Sequence, residues 1–478
     1  MRRRWAAATL LAAALGTPGA AAAQRSGADP ALVETGRFLA TAGDCAGCHG
    51  TSLAGGDPVA SPIGKVYASN LTPDAGTGIG SWTLSQFTTL MRRGRAPGRY
   101  IFPAMPYTSY TGLGDGQIAA LYSYLQLAVA PVRNVPPETR LPFPFVRPAM
   151  IAWNALFLDE GHPIGAPAVT DARALRGQVL VEALGHCTAC HTPRGQLMQP
   201  LSGRHLGGGM VNGWWAPNIS PGEGGIGDWS DERLAAFLRT GHTDSAVAAG
   251  EMGTVVSRSL SKLPPGAIGD IVAYLRAIPP VASATGDSVP RPSGRLVPAA
   301  SRAGGPGDIT DPVAAQGWQG MLAHDALDGG ALYQAACAAC HGMAGQGSAG
   351  LAHPSLLLMG GVTARQGSTL VQVIAHGVNR TVDGRTVLMP GFRDTLTDAQ
   401  IAALASYVRA TFGGDPQPLD AGRVSAILDG SLDTPWFIRN ATWLAVAGFA
   451  IAAAIALLAV IVILAVLRRG RGRGPRLA

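Results

Sequence analysis

The sequence is short of charge. Only 14% of its 478 residues are Asp, Glu, Lys or Arg, and the formal net charge is +7. That charge sits at the ends: Arg2, Arg3 and Arg4 in front, and Arg468, Arg469, Arg471, Arg473 and Arg476 behind. Taking those three and five from +7 leaves −1 for everything between. A near-neutral body lacks the clustered basic surface that a nucleic-acid binder needs, so no nucleic acid is expected as a partner. Cysteine is scarce as well, at six. No hydrolytic triad and no nucleotide-binding loop is visible, so no chemistry on an organic substrate is expected from this chain alone. What remains is a chain long enough for two to four ordinary domains.

Both ends read as membrane-related. "MRRRWAAATLLAAALGTPGAAAAQ" has a basic start, a short apolar stretch and a small-residue finish. It reads as a secretory signal peptide over residues 1–23, since Gly16, Pro18 and Gly19 break it too early for a spanning helix. Trp443 to Leu467 carries no charge in 25 residues. At ~1.5 Å per residue it reaches ~37 Å, enough to cross a hydrocarbon core of ~30 Å. The arginines that follow are expected to stay in the cytoplasm. The sequence therefore predicts a chain held in the bacterial inner (cell) membrane, with its body in the periplasm and its C-terminus in the cytoplasm.

The six cysteines fall into three units: Cys45 and Cys48 before His49, Cys187 and Cys190 before His191, Cys337 and Cys340 before His341. None is left for another role. A disulfide framework gives no reason for a histidine at one fixed offset, zinc wants further ligands nearby, and a redox dithiol wants a βαβ context. C-x-x-C-H is the attachment signature of c-type haem. On a helix, residues i, i+3 and i+4 share a face, so two thiols can form thioethers while the histidine becomes the iron's proximal ligand. Three covalently bound haem c groups are expected.

A repeat locates the sixth ligands. After each motif comes an amphipathic stretch with a tyrosine near its end: Leu113–Leu125, Leu263–Leu275 and Leu396–Val408, with Tyr124, Tyr274 and Tyr407. In the first two units "YASNLTPDAGTGIGSW" and "WAPNISPGEGGIGDW" also match. Asn70 and Asn218 form N-x-[ST] triplets there, and are expected to hold the loop by hydrogen bonds. The loop before each last helix offers Met105, Met252 and Met389, with proline after the first and third. A thioether sixth ligand raises the reduction potential relative to a second histidine. Met91 reads as packing, and Met198, Met210, Met343 and Met359 come too early in their units. His242, His376, His162, His186, His205, His324 and His353 are read as ordinary surface or core residues. The expected fold is all-α: three tandem cytochrome c-like domains (33–131, 169–280 and 325–412) joined by linkers 132–168 and 281–317, then one C-terminal transmembrane helix (443–467).

At this point the chain resembles the three-haem cytochrome c subunit of membrane-bound bacterial alcohol, aldehyde, gluconate and related dehydrogenases. "LATAGDCAGCH", "SNLTPDAGTGIGSWTLSQF", "FPAMPYTSY", "WNALFL", "LGHCTACHTPRG", "APNIS", "LRTGH" and "LMPGF" carry the likeness, from about residue 33 to 412. The resemblance implies a periplasmic dehydrogenase catalytic subunit as partner, with electrons passing through three haems to ubiquinone. It also implies that Met252 holds the second sixth-ligand position. The spanning tail departs from relatives that attach by amphipathic surfaces. The alternative is a cytochrome c subunit of a terminal oxidase or reductase. A third class, a multi-haem peroxidase, needs an open iron position, which three plausible methionines argue against.

Overall fold

The computed structural model describes residues 29–283 and 328–471, apart from residues 62, 164, 244, 348–352, 358 and 365. The expected signal segment, His324 and most of the linker 281–317 lie outside the described residues.

The chain is mostly helical, and one helix crossing recurs. Helix α1 (Pro30–Ala42) leads into α2 (Cys45–His49), the first motif. Helix α3 (Leu84–Arg93) follows, then α4 (Asp115–Leu127), which packs across α1. After α5 (Ala149–Phe157) the order repeats. Helix α6 (Ala172–Gln178) leads to α7 (Thr188–His191), then come α8 (Asp231–Thr240), α9 (Gly250–Arg258) and α10 (Pro265–Ala277). Beyond residue 328, α11 (Gly329–Ala336) leads to α12 (Ala338–His341), with α13 (Ser368–His376), α14 (Asp398–Val408) and α15 (Ala421–Leu428) after it.

Glycine makes each crossing possible. A methyl group built on Gly36 would overlap the carbonyl oxygen of Ala120 on α4. Gly177 meets Asp270 of α10 in the same way, and Gly329 meets Ala403 of α14. The tyrosine four residues beyond each of these carbonyls packs on the same glycine: Tyr124, Tyr274 and Tyr407. Backbone thus touches backbone at the crossing, which any side chain would forbid.

The expectation of an all-α fold is corrected in one respect. Among the described residues there are four two-stranded antiparallel hairpins: β1 (Pro58–Ser61) with β2 (Gly64–Tyr67), β3 (Arg95–Ala96) with β4 (Arg99–Tyr100), β5 (Gly209–Val211) with β6 (Trp214–Ala216), and β7 (Val378–Val382) with β8 (Arg385–Met389). Each strand has five residues or fewer, too short for a period-two pattern to stand out in the sequence.

The apolar side chains gather into two main cores. One runs without interruption from Leu39 and Leu125 to Leu184 and Leu275, so it belongs to the first and second motifs together. The other, with Leu332, Ile401, Leu404 and Phe412, belongs to the third. Polar contacts fasten the first pair: Ser259 Oγ donates to Ala42 O at 3.1 Å and Arg258 Nη1 to Gly47 O at 3.1 Å. Helix α16 (Ala441–Arg471) then leaves the body with its apolar side chains exposed. By length and composition it is able to cross a membrane.

Candidate haem-binding sites

The three motifs are built alike. Each histidine is the last residue of its short helix, α2, α7 or α12. Its Nδ1 points at a main-chain carbonyl further along: His49 at Ser69 O (2.6 Å), His191 at Pro217 O (2.6 Å) and His341 at Pro354 O (3.0 Å). A carbonyl only accepts, so Nδ1 must carry the proton and Nε2 keeps its lone pair. Burial holds all three imidazoles below the usual histidine range, against the smaller opposite effect of that bond. A neutral ring with Nε2 presented is the state that ligates iron.

The cysteines fit thioether attachment and do not fit a redox dithiol. All six are unpaired. Burial, the largest cause in each case, pushes the first thiol of every motif (Cys45, Cys187 and Cys337) up to about 12. A reactive dithiol needs the reverse. Among the described residues, no group of three or more His, Cys, Asp or Glu is placed to hold a bare metal ion. The donor set therefore fits haem c.

The loops after the first two motifs follow one plan. Asn70 Nδ2 donates to Val132 O at 2.8 Å, and its Oδ1 accepts from Thr72 N at 2.9 Å. Asn218 does the same with Val281 O (2.7 Å) and Ser220 N (2.8 Å). Asn70 and Asn218 thus hold their loops by hydrogen bonds, as the sequence predicts. Each loop is also tied to the crossing helix: Gln126 donates to Ile79 O at 2.7 Å, and Arg276 Nη1 to Ile226 O at 2.8 Å.

The candidate sixth ligands are placed unevenly. Met105 and Met252, like Cys45 and Cys187, pack on the one core that the first two motifs share, and Met252 also packs on the small cluster of Ala248, Val256 and Val382. Met252 stands on helix α9, not in a loop; no proline follows it, so the helix continues. Met389 ends strand β8 and is half-buried. Met91 and Met359 are buried among core side chains, and Met343 is 62% exposed.

The first and second motifs are close neighbours. Helix α9 rests on α2 through the Arg258 bond to Gly47. Tyr110 stands edge-on to His186, ring centroids 6.3 Å apart. Tyr110 lies within electrostatic reach of Cys45 and Cys48, and His186 directly precedes Cys187. Asp44, in left-handed backbone (φ 44°) before Cys45, is pushed by burial up to about 6, with Arg258 and Lys262 opposing. Arg194 fastens the loop after the second motif, donating to Ala189 O (2.8 Å) and Met198 O (3.0 Å).

One cluster escaped the sequence reading. Glu182 is fully buried, and its Oε1 accepts from Tyr274 Oη at 2.6 Å and lies 2.8 Å from His205 Nε2. The available signal was a carboxylate inside the apolar run "VLVEAL".

The geometry and the sequence relatives converge on one class, the c-type cytochromes. Residues 33–128 match the family model described as cytochrome c, and residues 324–408 match that of cytochrome C oxidase, cbb3-type, subunit III. The fructose dehydrogenase cytochrome subunit of Gluconobacter japonicus is 38% identical over 418 residues, 84% of each chain. The gluconate 2-dehydrogenase cytochrome c subunit of Pantoea cypripedii is 34% identical over 85% of this chain and 91% of its own. The alcohol dehydrogenase (quinone) cytochrome c subunit of Gluconobacter oxydans is 30% identical over 91% of both. The chain belongs to this family of dehydrogenase cytochrome c subunits, which carry covalently bound haem c and transfer electrons.

Proposed function

We propose that this chain is the membrane-anchored, three-haem electron-transfer subunit of a quinone-reducing dehydrogenase complex. Its three domains are taken as 33–131, 169–280 and 325–412. Cys45 and Cys48, Cys187 and Cys190, and Cys337 and Cys340 hold the haems by thioethers. His49, His191 and His341 are the proximal ligands, and Met105, Met252 and Met389 the distal ones. The haem iron supplies the one-electron couple. The protein orients each imidazole through its Nδ1–carbonyl bond and excludes water by burial of the first thiol. The observation that carries the reading is the threefold recurrence of that histidine geometry in a chain aligned over most of its length with dehydrogenase cytochrome subunits.

Electrons enter from a periplasmic catalytic subunit that oxidises an alcohol, aldehyde or sugar acid, and leave to ubiquinone. Helix α16 holds the chain in the inner membrane with the arginine tail in the cytoplasm, which agrees with the family's place in dehydrogenase complexes and with the exposed apolar length of that helix. A second reading, a subunit of a terminal oxidase or reductase, draws on the oxidase subunit III match over 324–408.

Gentle purification of the tagged full chain, followed by identification of what accompanies it, tests both. Recovery with a dehydrogenase subunit and substrate-dependent quinone reduction is expected. Recovery with oxidase core subunits and no dehydrogenase overturns the proposal. A chain ending before residue 441 should leave the membrane fraction; retention there removes α16 as the anchor.

A further inference from the structure

The buried cluster near the second motif is set apart by a change in helix geometry. From crossing glycine to first cysteine the spacing is nine residues in the first unit (Gly36 to Cys45), ten in the second (Gly177 to Cys187) and eight in the third (Gly329 to Cys337). The second unit carries a π-helical turn, Val179–Leu184, between α6 and α7. A π turn takes up an added residue without breaking the helix, and such turns gather at functional positions. Glu182 lies in it and points into the core.

The position five residues before the first cysteine is Ala40 in the first unit and Leu332 in the third, both buried and apolar. A carboxylate here is thus peculiar to the second unit. Among the described residues it has no arginine or lysine partner: Arg173 and Arg176 of α6 are committed to Asp270, with Arg176 Nε at 2.7 Å. Its electrostatic effect reaches Cys187. Two buried atoms of the cluster lack a hydrogen-bond partner among the described residues, Glu182 Oε2 and His205 Nδ1. Those are the two atoms on which an added proton can sit. Among the described residues, the elements packed around the π turn also bring Tyr107 (bonded to Asn154) and Tyr110, His186 and Cys187, Asp270 with Arg173 and Arg176, Arg276 (paired with Asp231), and the exposed Glu34–Arg37 pair of α1. Tyr274, raised by burial and then by Glu182, stays a donor across the ordinary pH range.

We propose that Glu182, His205 and Tyr274 form a redox-linked proton site for the second haem. The proposal rests on reading Cys187, Cys190 and His191 as a haem site. When a haem held there takes one electron from the upstream redox partner, one proton from solvent joins the Glu182 carboxylate at Oε2, with Tyr274 and His205 holding Oε1. Oxidation releases both. An added electron makes the nearby cluster more basic, because a buried charge is felt strongly where water is absent. The potential of this haem therefore falls as pH rises between the cluster's proton affinities in the two redox states.

The test is a spectroelectrochemical titration of the haem-loaded full chain in detergent from pH 5 to 9, with the haems resolved by magnetic circular dichroism. Expected is one haem whose potential falls with pH, at a slope approaching the limit of about 59 mV per tenfold change in proton concentration for a one-electron couple. Glu182→Gln keeps the shape and should abolish that slope while the low-spin spectrum persists. Tyr274→Phe removes one donor to the carboxylate and should keep the slope but move its window to higher pH. An unchanged slope in Glu182→Gln overturns the proposal, as does a wild-type chain in which no haem has one. If Glu182→Gln fails to fold, an unmoved window in Tyr274→Phe overturns it. Mass measurement of the peptide holding Cys187 and Cys190 separates the two levels: no haem there defeats the haem reading itself, whereas haem with no slope defeats only the proton site.

Discussion

The first two motifs and the third are embedded differently. Leu39, Leu125, Leu184 and Leu275 lie in one continuous core, so the first and second motifs cannot be pulled apart without exposing apolar surface. The third has its own core and meets the second unit through polar bonds, Arg380 to Ala248 O, Gln372 to Asn212 O (3.2 Å) and Thr369 to Trp215 O (3.3 Å), and through a small apolar patch in which Val382 is buried with Ala248 and Val256. Apolar fusion makes two sites one mechanical body. A small mixed contact beside a separate core couples the third far less tightly than the first two are coupled to each other.

The sharpest way to break this comparison is at the helix crossings. Gly177→Val puts a branched side chain where Asp270 O already sits, at an expected cost above ~3 kcal/mol. Because the core is shared, haem content should fall at both the first and second motifs. Gly329→Val should lower it only at the third, so about two-thirds of the haemochrome remains. Equal loss from the two variants would remove the distinction.

Smaller effects sharpen it. Asn70→Ala and Asn218→Ala each leave a buried loop without its bracing bonds, for about 2–3 kcal/mol by denaturant unfolding; because the core is shared, either should lower the same transition. At the seam, Ser259→Ala strips the Ala42 carbonyl of a buried donor and should cost about 1–2 kcal/mol. Asp44→Asn is the pH-dependent case. Burial raises this carboxyl from 3.8 to about 6 in the folded chain, so its favourable contribution is complete below about 4 and is lost as pH rises through about 6. The variant should therefore unfold like wild type near pH 4 and be more stable by about 1 kcal/mol at pH 7. Asn keeps the left-handed backbone accessible. Arg37→Ala, which breaks the exposed pair with Glu34 and removes the guanidinium from over the Tyr124 ring (5.1 Å to its centroid), should cost about 0.5–1 kcal/mol.

The long amphipathic helices were legible in the sequence because their apolar spacing runs over three turns: α4, α10 and α14 fall within two residues of Leu113–Leu125, Leu263–Leu275 and Leu396–Val408. The C-x-x-C-H units were legible because their chemistry demands fixed spacing. The crossing glycines were not, since a glycine within a helix pattern carries no sign of what approaches it. Met252 reads as a loop residue because nothing in "AAGEMGTVV" signals helix strongly, and tertiary packing makes it helical. Glu182 carries no such signal, because a lone carboxylate ordinarily faces water; only the folded chain shows it buried within a π turn.

The acceptors for the three histidines carry a consequence for how the protein is made. Ser69, Pro217 and Pro354 lie 20, 26 and 13 residues downstream of the rings they receive. A ribosome delivers each motif before the carbonyl that will aim it. Every nascent motif thus passes through an interval in which its cysteines are present and its imidazole still turns freely. The Ser259–Ala42 bond spans 217 residues, so the first motif's surroundings stay open until the second unit is nearly complete. Synthesis and maturation are thereby ordered along the chain, with the two fused sites closing together and the third, nearest the apolar tail, closing last.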